Sequence, residues 1–236
     1  MDLSPFRLVI FDKDGTLIDF NAMWSGWVES LAARLEAVSG LTVAPALYQA
    51  YDYDAAARQA IAGGRLATAP MIGLFDLAHQ VLLRQGLSSA AAAAIMKQAW
   101  FVPDPAATAQ PLADLPRLFG ALRERGLRLA VATSDDRAPT AATLASLQVD
   151  HLIDSLIAAD DDVPLKPAPD MVWAACRATG VAPAQTIVVG DALPEMEMAR
   201  AAGAGLAIGV TSGVSSREML MASADLVLAN ISELLL

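Results

Sequence analysis

The stretch Phe11-Asp12-Lys13-Asp14-Gly15-Thr16-Leu17 decides the reading of this chain. It ends a short apolar run at residues 7–11 and sets two carboxylates at i and i+2 just past it. On an extended backbone, residues two apart point to the same side, so Asp12 and Asp14 face one way. Gly15 then permits a tight turn and a close backbone approach to a ligand. Taken alone, the stretch also reads as a plain Asp-Gly turn after a strand.

Further runs of the same kind lie at 128–132, 186–189, 205–210 and 226–229. Each is bounded by Gly, Asp or Ser, and none alternates cleanly with polar residues. Near-continuous apolar runs suit strands buried on both faces of a parallel sheet. Helical patterns separate the later ones. Residues 169–179 have Pro early and Gly180 just beyond, and 194–202 run into Gly203. Strand alternating with helix predicts an α/β fold with right-handed crossovers. The interval from Asn21 to Ala109 differs: it is Ala-rich and carries no convincing strand. Its patterns predict helices over 22–38, 44–62, 70–85 and 89–100. Ile72, Phe75, His79 and Leu82 fall at helical spacing, and Ser88 reads as an N-cap. The expectation is one α/β core with a helical domain inserted after its first strand.

Composition narrows the function classes. The chain has 236 residues, 55% of them hydrophobic and 18% charged, which is ample for a packed core and excludes disorder as the main state. The formal net charge of −10 disfavours nucleic acid and acidic membrane surfaces, both of which need clustered Lys and Arg. The single Cys forms no intrachain disulfide. No apolar run reaches the length of a membrane span, and the first residues do not read as a signal peptide. A cytoplasmic protein, monomer or homodimer, is expected.

Three further sites carry chemistry-bearing groups. Thr133-Ser134-Asp135 follows the second run; hydroxyls and N–H groups there can hold phosphate oxygens, or simply cap a helix. Lys166-Pro167 precedes a helix start and offers a cation, or a solvated lysine. Gly190-Asp191 ends the third run with Glu195 four residues on, again readable as a turn and a first-turn acid. Jointly the four sites fall at one edge of one parallel sheet, where ligands bind. Asp12, Asp14 and Asp191 converging there would repel strongly without a cation between them. An all-oxygen set suits Mg²⁺, whereas two His and one Cys support zinc poorly.

In order and spacing, residues 11–19 (FDKDGTLID), 131–136 (VATSDD), 166–170 (KPAPD) and 188–203 (VVGDALPEMEMARAAG) resemble the haloacid dehalogenase-like hydrolase superfamily, in its phosphoglycolate phosphatase-like branch. The resemblance implies a doubly wound parallel sheet core over 1–19 and 110–236, with an all-helical cap over 20–109. It implies a Mg²⁺-dependent phosphatase acting on a small phosphorylated metabolite. Asp12 would be the nucleophile and Asp14 the general acid/base. Thr133, Ser134 and the N–H groups of Asp14 and Gly15 would hold the phosphoryl oxygens, and Lys166 would neutralise charge. Asp12, Asp191 and the carbonyl of Asp14 would hold the metal. Glu195 stands where the family usually has Asp, and Ala192 where it usually has a hydroxyl.

The cap should set specificity. Arg65, after Gly63-Gly64, is the preferred candidate to pair with a substrate carboxylate, ahead of Arg58 and Arg137. Trp24 and Trp27 share a helix face, and core packing outweighs substrate contact by about two to one. Cys176 reads as a small buried hydrophobe. A phosphomutase would use the same motifs. A dehalogenase fits less well, because its branch lacks the metal-site carboxylate at position 14. A phosphoacceptor receiver module or a catalytically silent relative fits least.

Overall fold

The computed structural model describes residues 1–61, 63–104 and 108–235. In chain order its elements begin with β1 (Leu8–Phe11), α1 (Phe20–Ser39), α2 (Ala44–Tyr51), β2 (Tyr53–Asp54), β3 (Gln59–Ala60), α3 (Arg65–Thr68), α4 (Met71–Arg84) and α5 (Ser89–Ala99). Then follow α6 (Leu115–Glu124), β4 (Arg128–Ala132), α7 (Arg137–Ser146), β5 (Ser155–Ile157), α8 (Asp170–Thr179) and β6 (Thr186–Gly190). The chain closes with α9 (Leu193–Ala202), β7 (Leu206–Val210), α10 (Arg217–Met221) and β8 (Leu226–Leu228). Two compact units result, one of Met1–Phe20 with Pro105–Leu236 and the other of Asn21–Asp104.

The first unit holds a six-stranded parallel sheet in the order β5-β4-β1-β6-β7-β8. The chain moves outward from β1 through β4 to β5, then restarts at β6 on the other side. The carboxyl ends of β4, β1 and β6 therefore flank the reversal point, where open α/β sheets bind ligands. Register makes this concrete: Phe11 pairs with both Val131 and Val189. Asp12, Thr133 and Asp191, each the first or second residue past those pairs, come to one edge.

Both faces of the sheet are covered, as continuous apolar strands require. Leu8, Ile10, Ala130, Ala132 and Val188 pack with Met171, Val172, Ala175 and Cys176 of α8 and with Met196 and Ala199 of α9. Cys176 is thus a small core hydrophobe. On α6, Leu115, Leu118, Phe119 and Leu122 recur at helical spacing and are buried. Phe119 stacks on Phe11 of the central strand at 5.2 Å.

The second unit departs from the expected helices in two places. The helix predicted over 44–62 stops at Tyr51, where Asp52 turns left-handed (φ 53°), and the antiparallel pair β2–β3 follows. The predicted end at Ala62 lies outside the described residues; among these, the unit's regular elements are helices apart from that pair. On α4 the buried face is Leu74, Ala78, Val81 and Leu82, while Ile72 is 67% exposed. Trp27 sits among Trp24, Tyr51, Trp100 and Phe101, and its Nε1–H donates to the Phe101 carbonyl at 3.0 Å. Both tryptophans are therefore core residues of this unit. Ser88 does cap α5, accepting from the Ala91 N–H at 3.2 Å. Among the described residues, no helix is long and apolar enough to cross a membrane.

Candidate active site

Asp12 is the first residue beyond β1, and its N–H still donates to Val189 of β6 at 2.9 Å. That bond continues the ladder past the strand and fixes the backbone under the carboxylate. The side chain is buried and ion-paired through Oδ1 to the Lys166 ammonium. Lys166 also touches Glu195 Oε1 at 2.9 Å, so one buried ammonium is shared by two carboxylates. Glu195 is anchored in turn by the Ala192 N–H, which donates to Oε2 at 3.2 Å in the first turn of α9. Glu195 Cγ also lies 2.4 Å from where a Cβ on Gly190 would stand, so only glycine fits beneath it. Burial works against the Lys166 charge, but Asp12 and Glu195 outweigh it and its pKa is raised.

Asp191, the first residue past β6, faces the loop after β1. A Cβ on Gly15 would lie 2.5 Å from Asp191 Oδ2, and Gly15 itself has φ +81°. Gly15 thus serves close approach and a left-handed backbone together. The other wall was not read from the sequence: it is the loop between β7 and α10. A Cβ on Gly213 would stand 1.9 Å from Asp191 Oδ2, and the Val214 N–H donates to that oxygen at 2.8 Å. Ser212 Oγ donates to the Gly15 carbonyl at 2.8 Å, tying the two loops together. Thr16 Oγ1 lies 3.4 Å from Asp191 Oδ1. Burial first, then the charges of Asp12 and Glu195, hold the Asp191 carboxyl well above the usual range.

Asp14 sits beside a second buried ammonium, also unread from the sequence. Lys13 Nζ lies 2.6 Å from Asp14 Oδ2 and 2.9 Å from Asp135 Oδ2. Burial opposes the Lys13 charge, the two carboxylates outweigh it, and its pKa rises. Asp14 is pushed up to about 6, by burial first and by Asp135, with Lys13 acting the other way. Its Oδ1 is buried and has no hydrogen-bond partner among the described residues.

Thr133 is buried at the end of β4, its N–H donating to Ile157 at 2.9 Å and its Oγ1 accepting from the Asp135 N–H at 3.2 Å. Neither Ser134 nor Asp135 is the N-cap of α7; that position is Asp136. Two expectations need correction. The Gly15 N–H donates to the Ile18 carbonyl at 2.7 Å, so it is not free for a phosphoryl oxygen. Arg65 is committed inside its own unit: it forks onto Asp52 at 2.7 and 2.8 Å and donates to the Gln49 carbonyl at 2.9 Å. Arg58 forks likewise onto Glu29 at 3.0 and 2.8 Å, and Arg137 pairs with Asp161. All three arginines answer local acids.

The donor set bears on the expected metal. Among the described residues, no group of three or more His, Cys, Asp or Glu side chains stands ready to hold a metal ion. What the sheet edge offers is different: two buried carboxylates, Asp12 and Asp191, with Glu195 beside them and only Lys166 among them as counter-charge. That excess of buried negative charge fits a hard divalent cation bound by few carboxylates plus backbone oxygen.

Residues 6–203 match the family model for haloacid dehalogenase-like hydrolases. The chain is 30% identical over 197 residues to the phosphoglycolate phosphatase of Rhodospirillum rubrum, covering 84% of this chain and 76% of that one. In structure it resembles a haloacid dehalogenase-like family hydrolase from Streptococcus pneumoniae, with TM-score 0.66, 19% identity and 98% of each chain covered. A subfamily IA hydrolase from Geobacter sulfurreducens gives TM-score 0.66 at 16% identity, covering 98% of this chain and 95% of that one.

Proposed function

Since the chain belongs to the haloacid dehalogenase-like hydrolase family, in its phosphoglycolate phosphatase-like branch, and is a phosphatase, we propose that it hydrolyses a small phosphomonoester through a phosphoryl group carried on Asp12, with Mg²⁺ as cofactor. The observation that carries this reading is Asp12 itself. It is a buried carboxylate at the end of the central strand, gripped through one oxygen by Lys166, with Asp14 two residues on.

In the proposed reaction the second oxygen of Asp12 attacks phosphorus as the bond to the substrate's bridging oxygen breaks. Asp14 gives its proton to that leaving oxygen. Water then attacks the phosphoryl group, Asp14 takes the proton, and phosphate leaves with Asp12 restored. Lys166 steadies Asp12 and offsets charge on the phosphoryl oxygens. Thr133 and the N–H groups of Asp14 and Ser134, which donate to no other described residue, orient those oxygens. Asp12, Asp191 and the Asp14 carbonyl would hold Mg²⁺, which when bound supplies positive charge against the phosphoryl oxygens. A carboxyl near pH 6 suits a group that must both give and take a proton.

A phosphoglycolate-like acid or a sugar phosphate is the proposed substrate class, and a cytoplasmic monomer or homodimer the proposed form. The test is phosphate release from a panel of small phosphomonoesters with Mg²⁺, repeated after chelation. Turnover that EDTA abolishes and Mg²⁺ restores is expected. No release across the panel overturns the phosphatase reading. Turnover indifferent to chelation overturns the metal, and release of halide from a haloacid would point to a dehalogenase instead.

A further inference from the structure

Lys13 separates the two carboxylates of the first motif, yet its side chain is only 1% exposed. An unpaired ammonium there would be prohibitive; Asp14 at 2.6 Å and Asp135 at 2.9 Å compensate it. For packing alone, an apolar side chain of similar length would serve at least as well, since buried ion pairs barely repay their desolvation. What the ammonium adds is placement. It pairs by charge with Oδ2 of Asp14, meeting neither acid in hydrogen-bond geometry, and leaves buried Oδ1 without a partner among the described residues. Its other anchor, Asp135, donates its own N–H to Thr133 Oγ1 at 3.2 Å. Lys13 thus couples the β1 loop to the β4 loop. The backbone beneath is fixed as well: the Lys13 carbonyl accepts from the Leu17 N–H at 2.8 Å and the Ile18 N–H at 3.1 Å.

We propose that Lys13, braced on Asp135, is a positioning residue that fixes Asp14 by Oδ2 so that Oδ1 is presented to the leaving oxygen of the substrate. The inference rests on the phosphatase reading above. In the step it serves, the proton on Oδ1 passes to the bridging oxygen as the P–O bond breaks and the bond from Asp12 to phosphorus forms. Asp14 is left as a carboxylate whose Oδ2 stays on Lys13.

The test uses leaving groups. An alkyl phosphomonoester needs its departing oxygen protonated; 4-nitrophenyl phosphate does not, because its phenolate is stable. Lys13→Met should lower kcat/KM for the alkyl ester by about 10²-fold, at the low end of what general acid–base catalysis contributes, with KM little changed. For 4-nitrophenyl phosphate the same variant should lose less than about fivefold, because general acid help is not required. Asp135→Asn, which keeps the side-chain shape, should show the same selectivity with a smaller loss, and stands in if Lys13→Met does not fold. In an Asp14→Asn background, Lys13→Met should add nothing, since the two act as one unit. Equal losses on both substrates, or none on the alkyl ester, overturn the inference while leaving the phosphatase reading intact. If the unmodified protein cleaves neither ester, it is that reading that falls, and this inference with it.

Discussion

Lys166 and Lys13 each lie between two acids, but the two arrangements differ in what is left over. Around Lys166, the carboxylates of Asp12, Glu195 and the nearby Asp191 outnumber the ammonium. Around Lys13, one oxygen of each acid is ion-paired, and Oδ1 of Asp14 is left buried without a hydrogen-bond partner among the described residues. In the proposed mechanism the first arrangement would hold a cation and the second would carry the transferred proton. Away from this edge, the clearest charged pair is Asp52 with Arg65. Arg65 donates to both Asp52 oxygens through its side chain, and its backbone N–H adds a third bond, bringing Asp52 down to about 2. A carboxyl lowered in the folded state stabilises above its unfolded value near 4 and loses that contribution as pH falls toward 2. Both side chains are partly exposed, so the effect stays below about 1 kcal/mol. Asp52→Asn should therefore lower the thermal midpoint at pH 6 and lower it much less near pH 2. A gap of the same size at both pH values would contradict the pairing. Asn tolerates the left-handed backbone at this position, which keeps the comparison clean.

At the scale of elements, the site is an edge made by three strand ends and closed by a loop from a fourth. The strand ends were legible because each follows an apolar run that only a buried parallel strand explains. Asp12, Thr133 and Asp191 could be placed together from that pattern alone. The β7–α10 loop was not legible, because Gly213 matters only through its distance to Asp191, 22 residues earlier in the chain. Nothing local marks it. Lys13 was hidden for the opposite reason: a lysine inside a motif reads as solvated until its two partners are seen. Strand β5 escaped because it has three residues and only Ile157 is fully buried. In the second unit, periodicity found helices but erred on faces and ends, since one αL residue at Asp52 outweighs the helix propensity of the alanines after it. Gly213→Ala tests the loop. A Cβ 1.9 Å from Asp191 Oδ2 must displace that carboxylate. The variant should keep a near-normal thermal midpoint, lose about tenfold or more in kcat/KM as misplaced groups do, and need more Mg²⁺ for half-maximal rate. Unaltered Mg²⁺ dependence would remove Asp191 from the metal.

For the whole molecule, the proposed mechanism has an acidic chain meet a phosphate through a buried cation and unpaired N–H groups placed at one sheet edge. The net charge of −10 disfavours extended polyanions, while in that mechanism Lys166 and the N–H groups of Asp14 and Ser134 act over a few ångströms at one sheet edge. The three surface arginines nearest to a specificity role are spent on local acids. Substrate selection is therefore not to be sought in them as they stand. The central claim is that the phosphoryl group passes through Asp12. It is tested most directly by mixing the protein with Mg²⁺ and a turned-over phosphomonoester, quenching in acid during the steady state, and mapping phosphoryl label by mass spectrometry. The account predicts label on Asp12, absent from Asp12→Asn, which should also lose at least about 10³-fold in kcat as removal of a covalent nucleophile does. Phosphate release by Asp12→Asn at the unmodified rate, or label on any other residue, would contradict it.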